Sequence, residues 1–160
     1  MDNRLLDERS IIQLCFVTED LNKTTDWLSE LTGVPAGPVR PFAPDESAIY
    51  KGSRGHRFGC QIRFMDFGNI ELEIIQPDKS PSAWRDLLNE RGPGFHHFAI
   101  KTRNLAKRKA YLEERGHELI QQGEFDKGGG RYAYFNTLPD LGALLELLEF
   151  DNDKEPQPQG

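Results

Sequence analysis

The sequence predicts an α+β protein made of two tandem βαβββ modules, whose strands join into one open, cupped eight-stranded sheet. Three observations lead to this prediction. The chain has 160 residues, which is the size of a single domain. Its content of 37% hydrophobic and 29% charged residues is typical of a globular protein. Strand-like and helix-like patterns also occur in the same order twice along the chain.

The first module is expected over about 10–77. An apolar, β-branched run predicts its first strand at 11–18. Asp20 can cap the helix that follows and Gly33 can end it, with Leu31 among the residues on its predicted buried face. Four prolines predict a loop at 34–45. The remaining strands of this module are expected at about 46–51, 58–65 and 69–76.

A linking helix is expected at about 82–91, capped by Ser80 or Ser82, and the second module follows at about 94–150. Asn104 can cap the helix of that module. We expect a flexible N-terminus at 1–9 and a disordered tail at 151–160, because neither segment can bury much apolar surface. The strands of the second module are expected at 94–102, 117–122, 131–136 and 143–150.

Charge and hydropathy exclude several classes of partner. The net charge of −6 argues against a nucleic-acid partner, which usually needs a basic surface. No apolar run approaches the ~18 residues of a membrane span, and the start of the chain lacks the apolar segment of a signal peptide. Cys15 and Cys60 lie in apolar strands and form no disulfide or zinc pattern. We expect a cytoplasmic protein that binds a small-molecule substrate, with no nucleic acid and no membrane.

The two modules also match residue by residue. One offset, 97 − 13 = 84, aligns Gln13 with His97, and a second, 146 − 73 = 73, aligns Glu73 with Glu146. Because alternate residues of a strand face opposite ways, these four side chains are expected on the open face of the sheet. His96 is expected on the opposite, helix-covered face, as a hydrogen-bonded core residue or as support for a ligand.

Two carboxylates in one half-buried pocket repel each other unless a cation lies between them. A divalent ion bound by Glu73, Glu146, neutral His97 and the amide oxygen of Gln13 makes the site formally neutral. Three oxygens and one nitrogen suit an octahedral ion with two free positions. The sheet is therefore expected to surround a metal site, with Zn, Co, Ni, Mn, Fe and Mg not distinguished by the sequence.

The segments IIQLCFVTEDLNKTTDWL, IELEIIQP, GPGFHHFAI and GALLELLE carry a family resemblance. Over about 10–150 the chain resembles the glyoxalase, or vicinal oxygen chelate (VOC), superfamily, and its forms similar to methylmalonyl-CoA epimerase and glyoxalase I. In that family the metal ligands lie on the first and last strand of each module. The resemblance thus implies the metal ligands Gln13, Glu73, His97 and Glu146.

The resemblance also implies a catalytic glutamate on an interior strand of the first module, and the alignment puts Gln61 there. With Gln61 at that position, the metal-bound carboxylates Glu73 and Glu146 are the expected catalytic groups, as in glyoxalase I. Gln61, Arg63 and Arg131 are candidate substrate-binding residues. Arg131 follows a glycine loop, 128–130, which either cradles a phosphate or thioester tail or is only a hairpin. Glu71 and Glu149 are expected to be solvated.

The function that the resemblance implies is that of a metal-dependent isomerase or lyase. It transfers a proton beside a metal-polarised carbonyl, on an acyl-CoA thioester or a thiol–aldehyde adduct. Two alternatives remain: an iron-dependent ring-cleaving dioxygenase, which favours two histidines and one carboxylate, and a metal-free small-molecule binding or resistance protein. A homodimer is expected because open sheets expose apolar edges.

Overall fold

The computed structural model describes residues 11–126 and 129–153. Its helices are α1 (Leu21–Thr32), α2 (Ala83–Arg91), α3 (Leu105–Glu113) and α4 (Leu138–Leu141). Its strands are β1 (Ile11–Val17), β2 (Arg40–Phe42), β3 (Ile49–Tyr50), β4 (Cys60–Asp66), β5 (Glu71–Pro77), β6 (Gly94–Lys101), β7 (Leu119–Phe125), β8 (Gly130–Phe135) and β9 (Leu144–Phe150).

All nine strands belong to one curled mixed sheet, in the order β2-β4-β5-β1-β6-β9-β8-β7-β3. The first strands of the two modules, β1 and β6, pair antiparallel at its centre. On each side of this seam the first strand of a module pairs in parallel with its last, β1 with β5 and β6 with β9. The sheet therefore has the same order outward from the seam in both directions. The predicted α+β fold with two βαβββ modules is confirmed.

The outer strand of the first module differs from the prediction. The expected strand at 46–51 is only the short β3, and it pairs with β7 of the second module. The position beside β4 belongs instead to β2, inside the proline-rich stretch predicted as loop. Pro41 fits β2 because this is an edge strand, where a missing backbone N–H costs no sheet hydrogen bond. The sheet consequently has nine strands rather than eight.

The helix ends agree with the capping signals. Asp20 accepts a hydrogen bond from the Lys23 amide at the start of α1, and Gly33 ends that helix with φ of 75°. Ser82 caps α2 in the same way as Asp20 caps α1. The predicted buried face of α1 included Leu21, which is buried, but also Leu31, which is 67% exposed. Thr25, which is buried as well, was not part of the predicted face.

The helices lie on opposite faces of the sheet. Helices α1 and α3 pack against the convex face, over β4–β5 and β9 respectively. Helix α2 lies on the concave face at one end of the cup, where Trp84 is 1% exposed. The Trp84 ring packs against the rings of Phe42, Phe58, Tyr132 and Tyr134. This aromatic cluster supports one wall of the interior.

The last described residues form a 3-10 turn at Asp151–Asp153, although the tail was expected to be disordered from residue 151. Asp151 pairs with Arg131 and Asp153 with Lys101, each at 2.7 Å, which holds the turn against the sheet. The rest of the tail, 154–160, and the N-terminal segment 1–9 lie outside the described residues. Among residues 11–126 and 129–153, no helix is long and apolar enough to cross a membrane.

Candidate metal centre

Four adjacent strands, β5, β1, β6 and β9, bring the predicted ligands together on the concave face of one chain. In the register of the sheet, Cys15 lies opposite both Glu73 and His97. One pleat along, Ala99 lies opposite Gln13 on one side and Glu146 on the other. The small side chains of Cys15 and Ala99 leave room between the larger polar ones. All four predicted ligands are at most 7% exposed: Gln13, Glu73, His97 and Glu146.

Three of these side chains converge on one point. Nε2 of His97 lies 2.9 Å from Oε2 of Glu146 and 3.3 Å from Oε2 of Glu73. Within residues 11–126 and 129–153, none of these three buried atoms completes a hydrogen bond. Buried polar atoms are nearly always satisfied in proteins, so three such atoms at one point indicate a place for a cation, which is either a proton on His97 or a metal ion.

The spacing of the three atoms fits a metal ion. Ligands ~2.1 Å from an ion lie ~3.0 Å apart at a right angle and ~3.4 Å apart at a tetrahedral angle. The two measured separations, 2.9 and 3.3 Å, fall close to this range. Two carboxylates and an imidazole are also a donor set that many divalent ions accept. The residues present therefore fit a divalent cation.

A bulge in β6 turns two neighbouring histidines into the interior. Cys15 pairs with His97, but Phe16 pairs with Phe95, so His96 is an extra residue on β6. Because of this bulge, successive side chains do not alternate strictly between the two faces of the sheet. The prediction that His96 lies on the opposite, helix-covered face is therefore wrong. His96 is instead fully buried beside His97, with Nε2 placed 2.9 Å from the carbonyl oxygen of Ala83 in α2. Its predicted role as a hydrogen-bonded core residue agrees with this contact.

The hydrogen bonds of His96 determine which ring nitrogen of neutral His97 carries the proton. The carbonyl of Ala83 only accepts, so Nε2 of His96 carries the proton and its Nδ1 is an acceptor. Nδ1 of His97 lies 2.7 Å from that acceptor and therefore donates to it. Burial, together with His97, lowers the pKa of His96 to about 3 and keeps it neutral. Neutral His97 then presents the lone pair of Nε2 to Glu73 and Glu146, as a metal ligand requires.

Glu146 lies beside a pair of linked aromatic residues. The indole nitrogen of Trp84 donates to the Tyr134 hydroxyl at 2.9 Å, and Tyr134 lies opposite Glu146 on the neighbouring strand. Burial raises the pKa of Glu146, against the opposing effect of His97. Burial lowers the pKa of His97, but Cys15 and Glu146 together raise it well above its usual value. Without an ion, a proton on His97 balances part of the negative charge.

Cys15, His96 and His97 form a second group with metal-ligand spacing. This group is less suited to an ion, because the Nδ1 atoms of the two histidines already bond each other. Burial also raises the pKa of Cys15, so its thiol stays neutral and is a poor ligand. The cluster of Glu73, His97 and Glu146 is thus the better candidate.

Glu71 is the residue that sequence reasoning missed. It was expected to be solvated, but it lines the same cavity as Glu73. Its Oε1 accepts a hydrogen bond of 2.9 Å from Nε2 of Gln13. The sequence spacing could have placed Glu71 at the site, since Glu71 and Glu73 are two residues apart on one strand and therefore face the same way.

A cavity of about 480 Å³ opens above the cluster, and Gln13, Glu73 and Glu146 are part of its wall. Its size is in the range of small-molecule sites. The remainder of the wall is mostly aromatic or aliphatic, with Arg40 and Asp126 as further charged residues. An apolar chamber above a polar floor can hold an organic substrate and exclude water from the floor.

Two of the predicted substrate-binding residues are not at this cavity. On β4, Ile62 and Phe64 line the cavity. Gln61 and Arg63 alternate with them along the strand and therefore face the convex side. Gln61 is exposed. Arg63 donates to the Gly37 carbonyl and to the Thr25 hydroxyl, each at 2.8 Å, and so anchors α1 to the sheet.

Arg131 is also turned away from the cavity. It lies opposite Glu149 on the neighbouring strand and pairs with Glu149 and Asp151 on the convex side. Glu149 was expected to be solvated, but it is only 7% exposed and accepts a 2.7 Å hydrogen bond from the Leu105 amide. The glycine loop before Arg131 lies partly outside the described residues. The structure therefore gives Arg131 a role in the ion pairs that hold the turn after β9.

The fold and the site together define a protein with a duplicated βαβββ sheet, curled around a buried carboxylate–imidazole cluster. Residues 12–135 match the model of the glyoxalase/bleomycin resistance protein/dioxygenase superfamily, and the chain belongs to that superfamily. A curated relative is the uncharacterized protein YqjC of Bacillus subtilis (strain 168). It is 27% identical over 94 residues, which are 58% of this chain and 67% of YqjC.

Solved structures with the same fold include two methylmalonyl-CoA epimerases. A hypothetical protein of Bacillus halodurans C-125 matches with a TM-score of 0.63 and 17% identity. The match covers 94% of this chain and 98% of the other protein's chain. The epimerase of Mycobacterium tuberculosis has the same TM-score and identity, covering 91% and 88%. A variant of the Streptomyces coelicolor epimerase, in complex with 2-nitronate-propionyl-CoA, has a TM-score of 0.61 and 19% identity, covering 91% and 97%.

Proposed function

We propose that this chain is a metal-dependent isomerase or lyase that moves a proton next to a substrate carbonyl. One observation carries the proposal: Glu73, His97 and Glu146 bring three buried ligand atoms without a hydrogen-bond partner to one point, and two of these residues line the cavity. Gln13 lines the same cavity and supplies a fourth donor. When bound there, a divalent ion polarises the carbonyl and lowers the cost of an enolate.

The residues of the chain supply binding and proton transfer. Glu146 takes the proton from the carbon beside the carbonyl and returns it, because its carboxylate lines the cavity that holds the substrate. Tyr134 lies opposite Glu146 on the neighbouring strand and limits the positions that its carboxylate can take. Glu73 is the second carboxylate of the cluster that lines the cavity. The aromatic wall keeps bulk water away from the carbanion-like state.

We propose a substrate with two neighbouring oxygens, such as an acyl-CoA thioester or a thiol–aldehyde adduct. The likeness to methylmalonyl-CoA epimerases supports the first class, and one of these relatives is described in complex with methylmalonyl-CoA and NH4⁺. The absence of Gln61 from the cavity supports a mechanism that relies on the ligand carboxylates. A ring-cleaving dioxygenase is disfavoured because the cluster has one histidine and two carboxylates.

The test begins with metal content. Purified protein is stripped with a chelator, reloaded with each divalent ion, and measured by elemental analysis. One ion per chain is expected for the unaltered protein, and less than a tenth of that for the double variant Glu73→Gln/Glu146→Gln. As a control, Glu30→Gln makes one such substitution on the exposed face of α1 and should keep one ion per chain. No ion in the unaltered protein would overturn the proposal in favour of a metal-free binding protein.

The second part of the test follows the proton. The reloaded protein is incubated in D₂O with methylmalonyl-CoA or with the adduct of methylglyoxal and a thiol. NMR then measures deuterium entry at the carbon next to the carbonyl. Metal-dependent exchange on one of the substrates is expected. Oxygen consumption with an iron-loaded sample, and no exchange, would instead support the dioxygenase.

We further propose that the chain forms a homodimer through the convex side of the β1–β6 seam. Phe95 and Ile11 are 39% and 49% exposed there, and the Phe95 ring packs on that of Phe16. Light scattering should therefore give twice the chain mass of 18.3 kDa. Phe95→Glu should give the single chain, whereas Trp27→Glu, at an exposed site on α1, should remain a dimer. A single chain in the unaltered protein would contradict this.

A further inference from the structure

Gln13 is the proposed ligand whose side-chain amide can take either of two orientations. A glutamine amide has an oxygen at one end and an NH₂ group at the other, and only the oxygen binds a cation. A rotation of 180° about the last side-chain bond exchanges the two ends without changing the shape of the side chain. A metal site that uses Gln13 therefore needs a neighbour that distinguishes the two ends.

Glu71 makes this distinction. Its Oε1 lies 2.9 Å from Nε2 of Gln13, on the adjacent strand β5. A carboxylate accepts hydrogen bonds and does not donate them, so the contact is favourable only when the NH₂ end of Gln13 faces Glu71. The reversed amide would lose this hydrogen bond and would place two acceptor oxygens against each other in a partly buried place.

The register of the sheet indicates where the other end of the amide lies. Gln13 pairs with Glu71 on one side and with Ala99 on the other. Ala99 in turn pairs with Glu146, which contributes Oε2 to the cluster. Since the NH₂ end is held toward β5, the oxygen end is left on the side of β6 and β9. The small, fully buried Ala99 leaves space in that direction.

We propose that Glu71 is a positioning residue, which holds Gln13 with its amide oxygen toward the cluster of Glu73, His97 and Glu146. The inference rests on the proposed metal site and explains how a neutral ligand is selected there. Glu71 contacts Gln13, the proposed ligand on the adjacent strand. Its effect passes through Gln13, in the way that hydrogen-bonded partners orient the ligands of other metal sites.

Metal affinity tests this proposal through three variants, measured by competition with a chromophoric chelator. Glu71→Asp keeps the charge but is one methylene shorter, so it loses the contact with Gln13. Glu71→Gln loses the acceptor-only character and allows both amide orientations. Each is expected to weaken binding by about 10-fold or more. The reciprocal swap, Gln13→Glu/Glu71→Gln, places a carboxylate at the ligand position and an NH₂ donor beside it, and should bind within a few-fold of the unaltered protein.

The control is Glu30→Gln, which removes one exposed negative charge on the convex side and should leave affinity unchanged. Thermal unfolding of the metal-free variants checks that each one folds. If Glu71→Asp keeps full affinity, charge alone explains any effect of Glu71→Gln and the positioning role is refuted. A swap no tighter than Glu71→Gln also refutes it. If the unaltered protein binds no ion, the proposed function fails first, and the two failures are thus distinct.

Discussion

The substitution Glu146→Gln removes one charge from the centre of the site while keeping the size of the side chain. Glu146 is 3% exposed, and its Oε2 lies 2.9 Å from the proposed nitrogen ligand on His97. The formal charge of the metal-loaded site changes from zero to +1. In addition, an amide has only one acceptor oxygen, and its NH₂ end cannot bind a cation.

The loss of affinity follows from these two effects. At ~2.1 Å and an effective dielectric constant of ~20, one unit charge attracts a divalent ion by about 16 kcal/mol before desolvation. Desolvation of the carboxylate and the ion offsets most of this, at several kcal/mol for each. A net loss of about 3 kcal/mol corresponds to ~10²-fold weaker binding. If Glu146 also takes the proton, turnover should fall by ~10²-fold or more at saturating metal.

The assay measures metal affinity by chelator competition and turnover by deuterium exchange, on the same samples. Glu149→Gln is the control for register, since Glu149 is three residues along and faces the convex side. It accepts hydrogen bonds from Arg131 and Leu105, so its loss should lower the unfolding temperature but leave metal affinity unchanged. Full metal content and full activity in Glu146→Gln would refute both the ligand assignment and the mechanism.

Three further predictions test the support of His97, the proton at the site and the position of Arg63 outside it. His96→Phe removes the acceptor that holds the His97 tautomer, and should weaken metal binding by about 10–100-fold in the same competition assay. The raised pKa of His97 means that the metal-free site carries a proton, which is released when an ion binds. Metal affinity should therefore fall as pH decreases below that pKa. Calorimetry in buffers of different ionisation enthalpy should detect the released proton. Arg63→Ala removes the anchor of α1 and should lower the free energy of unfolding by about 2 kcal/mol in urea, with metal affinity unchanged; weaker metal binding would contradict the convex position of Arg63.

Much of the fold was predictable because its signals are local. Asp20, Ser82 and Asn104 cap their helices through contacts only three residues away. The alternation of polar and apolar residues within single strands also placed Gln13, Glu73, His97 and Glu146 on one face. The duplicated order of elements then implied that the four strands meet, as they do at the β1–β6 seam. The role of these residues as ligands stays a prediction.

What the sequence by itself determined is thus most of the helices and strands, the helix caps and the face of each regular strand, because these depend on residues close in the chain. Only the tertiary structure decided the bulge at His96, the pairing of β3 with the second module, and the contact between Glu71 and Gln13. Each depends on the register between strands that are distant in sequence. A change of one residue in that register reverses which side chains face the cavity, as it does for Gln61.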